Sequence, residues 1–434
     1  MEVSDLKVYV PFMLFIFVLF LFHYPIVTHT SDDIGFAEGL NTLFKLNGEN
    51  FVVNLYFHWS SRIVTNFFLP VLCNLPGEVW KLLDSLIILI MSVLMPRILL
   101  NFENLSNKRQ LIYNSMSCLL FFLFYLSSYQ YDLQAPAGYI TTTLNYVWPL
   151  SFAVIHFYLV KKYIFNGDLN GGLKKGLIYF LAIFSLIFAI NQELMLIIVF
   201  GVYIFMLVCF FLGKMKVPKS YIIFFMVIIV GVLMICMSPG NRERGMVLKA
   251  ALSSNQISLM DKADVGFNLF FHGLITHFDL ISYLFFGVFG FYTFIVSKHQ
   301  KISLFSFLPF ILMNFSYFSS FIQFKFVLSV FEGGKYSFID SNLFYICIVL
   351  SFILATCFSL ALIYLSGKRW VGGLLFCLFL LGFVSQFCMG FFPSDFGYLH
   401  RWIIFYWCLM VFSSAILVYD LLESFSKDSV CLIN

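Results

Sequence analysis

The sequence predicts an all-α, polytopic integral membrane protein, and three observations lead there. Hydrophobic residues fill 61% of the 434 positions while charged residues fill only 11%, against about 25% in an ordinary soluble domain. The mean hydropathy is +0.93, and a soluble chain of this length would need a polar surface that such a composition cannot supply. The apolar residues also arrive in blocks of roughly 18–24, about what a helix needs to cross ~30 Å of hydrocarbon. In that medium each block must satisfy its own backbone hydrogen bonds, which selects helices. The alternating ten-residue segments of a membrane barrel do not occur.

Taken in order, the blocks place about twelve spans, at 10–28, 79–100, 111–128, 145–163, 177–191, 194–213, 221–238, 267–297, 302–322, 343–365, 370–390 and 402–424. The first follows Glu2 and Asp5 and has no small-residue cleavage site after it, so it reads as a retained helix rather than a signal peptide. The block at 267–297 is overlong and reads as one span with an extension on its loop side. Lysine and arginine set the orientation. One set of connections, with both chain ends, carries 16 of the 26 basic residues and only 7 of the 22 acidic ones. That face and both termini are therefore expected in the cytoplasm. Its connections, such as KMKVPKS and SKHQK, leave no room for a nucleotide-binding fold, and no Walker or GxGxxG motif occurs. The chain reads as one multi-span membrane domain over 1–434, with membrane lipids as partners and no nucleic acid. The ten cysteines sit in or beside apolar blocks without any CxxC spacing, so they read as small core residues rather than disulfides or zinc ligands.

The outward segments, 29–78, 129–144, 239–266, 323–342 and 391–401, hold nearly all the residues that carry chemistry. The first begins Ser31-Asp32-Asp33-Ile34-Gly35-Phe36. Adjacent carboxylates raise each other's pKa, and one can serve as a general base toward an acceptor hydroxyl; the alternative is a helix cap in a solvated loop. The stretch after them is amphipathic and not apolar enough to span, so helices lying on the outer interface are expected, with Trp59 as anchor and Arg62 close behind. In Pro239-Gly240-Asn241-Arg242-Glu243-Arg244-Gly245 two arginines suit an anionic ligand, because guanidinium forks match phosphate geometry; pairing with Glu243 and lipid headgroups is the competing reading. Glu193, in the Asn191-Gln192-Glu193 turn between two apolar spans, calls for a partner or a task, and Arg62 or Arg242 would supply the partner. Asn145, Tyr146 and Trp148 offer an amide and aromatic rings to a sugar, although an aromatic belt explains both rings as well. Arg401, with Asp395 and His400, is a second cationic position before the last span. Asp84, one turn inside the second span, is expected to pair locally. His272, His277 and Asp279 do not share a helical face at i, i+4, so no metal site is expected.

An acidic pair after the first span, then Trp59-Ser60-x-Arg62, then Leu144-Asn145-Tyr146-x-Trp148-Pro149, then Ser238-Pro239-Gly240-Asn241-x-x-Arg244 follow one another along the chain. In that order they resemble a family of bacterial multi-span proteins from O-antigen and surface-polysaccharide loci. The family includes serotype-converting glucosyltransferases of enteric bacteria and their phages. The specific motifs lie in the first 250 residues, and the rest is similar mainly in hydropathy. The resemblance implies a GT-C-like fold in the bacterial inner membrane, with a hexose, glucose foremost, moved from undecaprenyl phosphate to a lipid-linked glycan such as O-antigen of lipopolysaccharide on the periplasmic face. It implies a catalytic base at Asp32 or Asp33, a donor phosphate held by Arg242 and Arg244 with Arg62 and Arg401 in support, and sugar or acceptor contacts from Asn145, Tyr146, Trp148 and Glu193. No cofactor is implied; no second acidic motif can be placed, which leaves divalent-metal dependence open. An O-antigen polymerase is the near alternative, and a lipid-linked sugar flippase or transporter the alternative from another class.

Overall fold

A computed structural model describes residues 6–29, 32–45, 50–129, 137–165, 172–251, 259–276, 280–297, 300–314, 343–391 and 403–425. Among the described residues the secondary structure is helical, with a single isolated bridge between Tyr129 and Ala137. Among the described residues, nine helices are long and apolar enough to cross a membrane: Gly77–Leu99, Asn107–Ser128, Ile140–Ile164, Gly172–Ile190, Glu193–Leu212, Lys219–Cys236, Cys347–Leu365, Arg369–Phe391 and Ile403–Ser424. The chain is thus a polytopic, helical membrane protein. It divides into two compact units, one built from Met1–Met246 and the opening of the last helix, the other from Val247–Leu399 and the remainder of that helix.

In the first unit, helix α1 (Val10–His23) follows a short 3-10 turn, Lys7–Tyr9. It ends earlier than the apolar block suggests because Pro25, just after the C-cap Tyr24, has no N–H with which to continue the helix's bond ladder. Three short helices follow: α2 (Asp32–Glu38), α3 (Phe51–His58) and α4 (Ile63–Cys73). This is the stretch expected to be helical without spanning. Asn50 starts α3 by accepting from the amides of Val52 at 3.0 Å and Val53 at 3.2 Å, the usual way to satisfy a helix's first N–H groups. Helices α5 (Gly77–Leu99), α6 (Asn107–Ser128), α7 (Ile140–Leu159, continued by a π-helical turn Val160–Phe165), α8 (Gly172–Ile190), α9 (Glu193–Leu212) and α10 (Lys219–Cys236) are long and apolar. Helix α11 (Pro239–Ala251) carries the two-arginine motif on a helix rather than in a loop; Pro239 at its first position has the backbone angle and missing N–H that a helix start tolerates.

Helix α7 is the least apolar of the nine and the most buried of those in its unit. Its Thr141, Thr142, Thr143, Asn145 and Ser151 are all buried. Polar side chains in a span must face protein, so this helix takes the centre. By contrast α10 turns Ile222, Met226, Val230 and Leu233 outward, each about half exposed, as a helix bordering lipid would.

The second unit holds α12 (Leu259–Thr276), α13 (Leu280–Val296), α14 (Leu308–Asn314), α15 (Leu343–Leu365), α16 (Arg369–Phe387) and most of α17 (Ile403–Phe425). The block read as one overlong span is two helices, α12 and α13. Thirty-one residues exceed the ~20 that cross a bilayer, and the polar His277 and Asp279, which lie outside the described residues, fall between them. The last part of the expected span 302–322 also lies outside the described residues. Aromatic edges fill the core: Phe270 meets Phe383 and Tyr406 with centroids 5.3 Å away in each case, and Phe286 meets Phe352 at 4.9 Å. Deeper along α17, buried Asp420 accepts from the Tyr292 hydroxyl at 2.8 Å and the Lys368 ammonium at 2.9 Å.

Candidate functional site

Three motifs far apart in sequence dock on one another in the first unit. After α3 the chain turns through Trp59, Ser60 and Ser61, and the start of α11 lies against that turn. The Ser238 hydroxyl donates to the Tyr56 carbonyl at 3.2 Å. The Asn241 side chain donates to Ser61 Oγ at 3.0 Å and accepts from the Ser61 amide at 3.2 Å. Gly240 is required between them, because a Cβ there would lie 2.5 Å from the Trp59 nitrogen and 2.7 Å from the Tyr56 carbonyl. A backbone cannot give way as a flexible side chain can, so only glycine fits.

The third motif is the 191–193 turn, each residue of which has a separate task. Asn191 Oδ1 accepts from the amides of Val64 at 3.0 Å and Thr65 at 3.1 Å, capping α4 from a distance. Gln192 caps its own helix α9, accepting from the Met195 amide at 2.7 Å. Glu193 receives Arg62 Nε at 2.9 Å and the Ser61 hydroxyl at 3.2 Å. Both side chains of this ion pair are nearly buried, 14% and 8% exposed. Of the partners the sequence offered for Glu193, the structure supplies Arg62. Burial alone would lower the Arg62 pKa, but the Glu193 carboxylate and the neighbouring Tyr146 more than reverse this and hold it above the ordinary value. The guanidinium lies 5.8 Å from the centre of the Tyr146 ring, a cation–π distance. Arg244 also lies within electrostatic reach of Glu193. At the rim His58 Nδ1 meets Glu243 at 2.8 Å, and Arg242 is exposed.

The aspartate doublet occupies a neighbouring position, at the start of α7. Asp33 is fully buried. Its carboxylate accepts from the Thr141 amide at 2.8 Å, the Thr141 hydroxyl at 2.7 Å and the Ile140 amide at 3.3 Å. It thus caps α7 from α2, where the helix's positive end favours a negative charge. Burial raises its pKa from the usual carboxylate value, and the bonds from Thr141 and Ile140 counter only part of that. Asp32 differs: it is exposed, with Oδ2 3.4 Å from the Tyr139 hydroxyl. Of the two, Asp32 is the carboxylate at the surface.

Helix geometry fixes how far these groups stand apart. Thr141, beside Asp33, and Tyr146, beside Arg62, are five residues apart on α7, so about 7.5 Å along its axis. Helix α4 has Arg62 before its first residue and ends at Cys73, which feels the Asp33 charge; its eleven residues measure about 16 Å. The doublet and the arginines therefore border the same end of the unit without touching.

The remaining expected residues fall elsewhere. Asn145 donates to the Thr141 carbonyl at 2.9 Å and keeps a buried Oδ1 with no protein partner. Trp148 turns into the core, its Nε1 donating to Asp84 Oδ1 at 3.0 Å, so Tyr146 is the ring that borders Arg62. Arg401, Asp395 and His400 lie outside the described residues. Comparison with protein-family models, with curated proteins and with solved structures finds no match to this chain.

Two features escaped the sequence. Asp84 pairs not locally but across three elements: with His23 Nε2 of α1 at 2.9 Å, with the Tyr129 hydroxyl, and with Trp148. Its one local cation, Lys81, donates to the Tyr24 carbonyl at 2.8 Å instead. A histidine at the end of the apolar α1 block was the available signal. The second feature is an apolar cavity of about 600 Å³ among α4, α8 and α10, open along the face that α10 turns outward, bordered by Ile187, Ile190, Met226 and Val230 and reaching Ser61 and Asn191 at its polar edge. That volume lies within the range of small-molecule sites.

Proposed function

We propose that this chain is a membrane glycosyltransferase that moves a hexose, glucose foremost, from a polyprenyl-phosphate carrier to a lipid-linked glycan acceptor such as O-antigen. In this reading the protein lies in a bacterial inner membrane with both termini in the cytoplasm, and the site faces the periplasm. The observation that carries it is the Arg62–Glu193 pair beside Tyr146, with Arg244 within electrostatic reach of Glu193, close to an apolar cavity that reaches Ser61 and Asn191 and about a turn and a half along α7 from the carboxylate pair. A donor of this class has an apolar chain, an anionic phosphate and a sugar, in that order. The cavity suits the chain, and the arginines suit the phosphate.

The chemistry asked of the residues is modest. Arg244 and Arg242 neutralise the phosphate as it leaves, while Arg62, held by Glu193, supplies a fixed positive field. Asp32 takes the proton from the acceptor hydroxyl as that oxygen bonds to the anomeric carbon and the carbon–phosphate oxygen bond breaks. Asp33 holds the first turn of α7 in place and so acts through position. Reconstituted in liposomes, the protein should transfer radiolabelled glucose from undecaprenyl phosphate to a lipid-linked O-antigen acceptor without any ion gradient. No transfer from any such donor would end this reading.

A second reading, lipid-linked sugar translocation, draws on the buried Asp84–His23 pair, since ionisable groups inside spans often line transport paths. Movement of labelled lipid between leaflets with no change in the sugar would select it.

A further inference from the structure

The far end of α7 carries a second cavity, a polar one. Lys161 is twenty residues beyond Thr141, about 30 Å along the helix, so this cavity is separate from the site above. It encloses about 180 Å³ between the end of α5, the loop after it and the π-helical turn that continues α7. A volume below the ~300 Å³ of typical small-molecule pockets suits one small polar group.

Its walls carry three cations and one carboxylate: Arg97, Lys161, Lys162 and Glu103. Arg97 is half-buried and held between aromatic rings, its guanidinium carbon 4.5 Å from the centre of Phe102 and 5.9 Å from that of Phe12. It donates to the Val93 carbonyl with one of its five N–H groups. The Lys161 ammonium donates to the carbonyls of Ile98 at 2.6 Å, Leu100 at 3.2 Å and Arg97 at 3.4 Å. Those carbonyls close α5 and would repel an anion; the ammonium on them cancels that effect. Lys162 pairs with Glu103 at the exposed rim. One carboxylate faces three fixed positive charges, and two remain in excess. Spans α5 and α7 both end here, at the level where lipid headgroups lie, and basic pockets at such levels take anionic heads.

We propose that this cavity binds a phosphate group, borne by an anionic lipid headgroup or by free phosphate. Arg97 and Lys162 contact the phosphate oxygens, and Lys161 contributes its charge. The assignment does not depend on the transfer reaction. The test is binding to the full-length protein in detergent, by native mass spectrometry and thermal shift, of phosphatidylglycerol, phosphatidylcholine and inorganic phosphate. Phosphatidylglycerol should bind in preference to phosphatidylcholine, and Arg97→Gln should weaken it about tenfold. Glu103→Gln removes the competing carboxylate and should tighten binding several-fold; Lys162→Gln should weaken it. These two alter side chains at the rim, so they keep the test open if Arg97→Gln fails to fold. Protection by inorganic phosphate alone would make free phosphate the ligand, and protection by phosphatidylglycerol alone would make it the headgroup. Equal binding of phosphatidylcholine, or affinities unmoved by all three substitutions, would overturn the proposal.

Discussion

Two adjacent aspartates sit in opposite surroundings, and the difference can be measured. Asp33 accepts from the Ile140 and Thr141 amides and the Thr141 hydroxyl, so Asp33→Ala should destabilise the protein by about 1–3 kcal/mol, the cost of unmet buried donors. Asp32→Asn should abolish sugar transfer while the unfolding temperature stays within a degree or two. Equal loss of stability in both variants would contradict the division of labour. Because burial raises the Asp33 pKa above the ordinary 3.8, the folded state favours its neutral form relative to the unfolded chain. Its contribution is therefore complete below that ordinary value and is lost as pH rises through the raised one. Against Asp33→Asn, which does not titrate there, the wild type should lose relative stability as pH climbs from about 4; parallel curves would refute it. For the Arg62–Glu193 pair, Glu193→Ala leaves a nearly buried guanidinium uncompensated and should cost about 3–5 kcal/mol by chemical denaturation.

At the level of elements, most of what positions the site is a helix start served by a residue from elsewhere. Asn191 caps α4, Asp33 caps α7, and the start of α11 fits against the turn after α3. Gly240→Ala should separate that last contact, since its Cβ would lie within 3 Å of three backbone atoms. We expect a loss of transfer together with increased proteolysis near Trp59, and a fully active Gly240→Ala protein would rule out the docking. These tertiary links set the limit of what the sequence discloses. The spans are legible because an apolar block carries its own instruction, whereas the sequence around Asp84 points to a local partner and the true ones come from α1, α7 and Tyr129. The motifs around Trp59, Asn191 and Ser238 each stand out in the sequence, yet nothing in their spacing says that Asn241 bonds Ser61. The division of 267–297 into α12 and α13 is visible in hindsight from length alone.

For the molecule as a whole, charge bias along the chain gives an orientation that chemical labelling can check. Leu173 is 95% exposed at the start of α8 and Trp59 is 48% exposed beside the site. Measured against the unsubstituted chain, a membrane-impermeant thiol reagent should reach Trp59→Cys in intact cells and Leu173→Cys only after permeabilisation. The reverse pattern would invert the topology and remove the periplasmic site. The polar central helix α7 also bears on biogenesis. Its threonines, asparagine and tryptophan are poor tickets into lipid, and Asp33 and Asp84, the partners of Thr141 and Trp148, are synthesised earlier. Insertion of α7 should therefore depend on α2 and α5 already waiting at the translocon. A chain released after α6 would leave Asp33 without its donors on α7 and Asp84 with His23 but without Trp148, a degradation signal that disappears only when the next helix arrives.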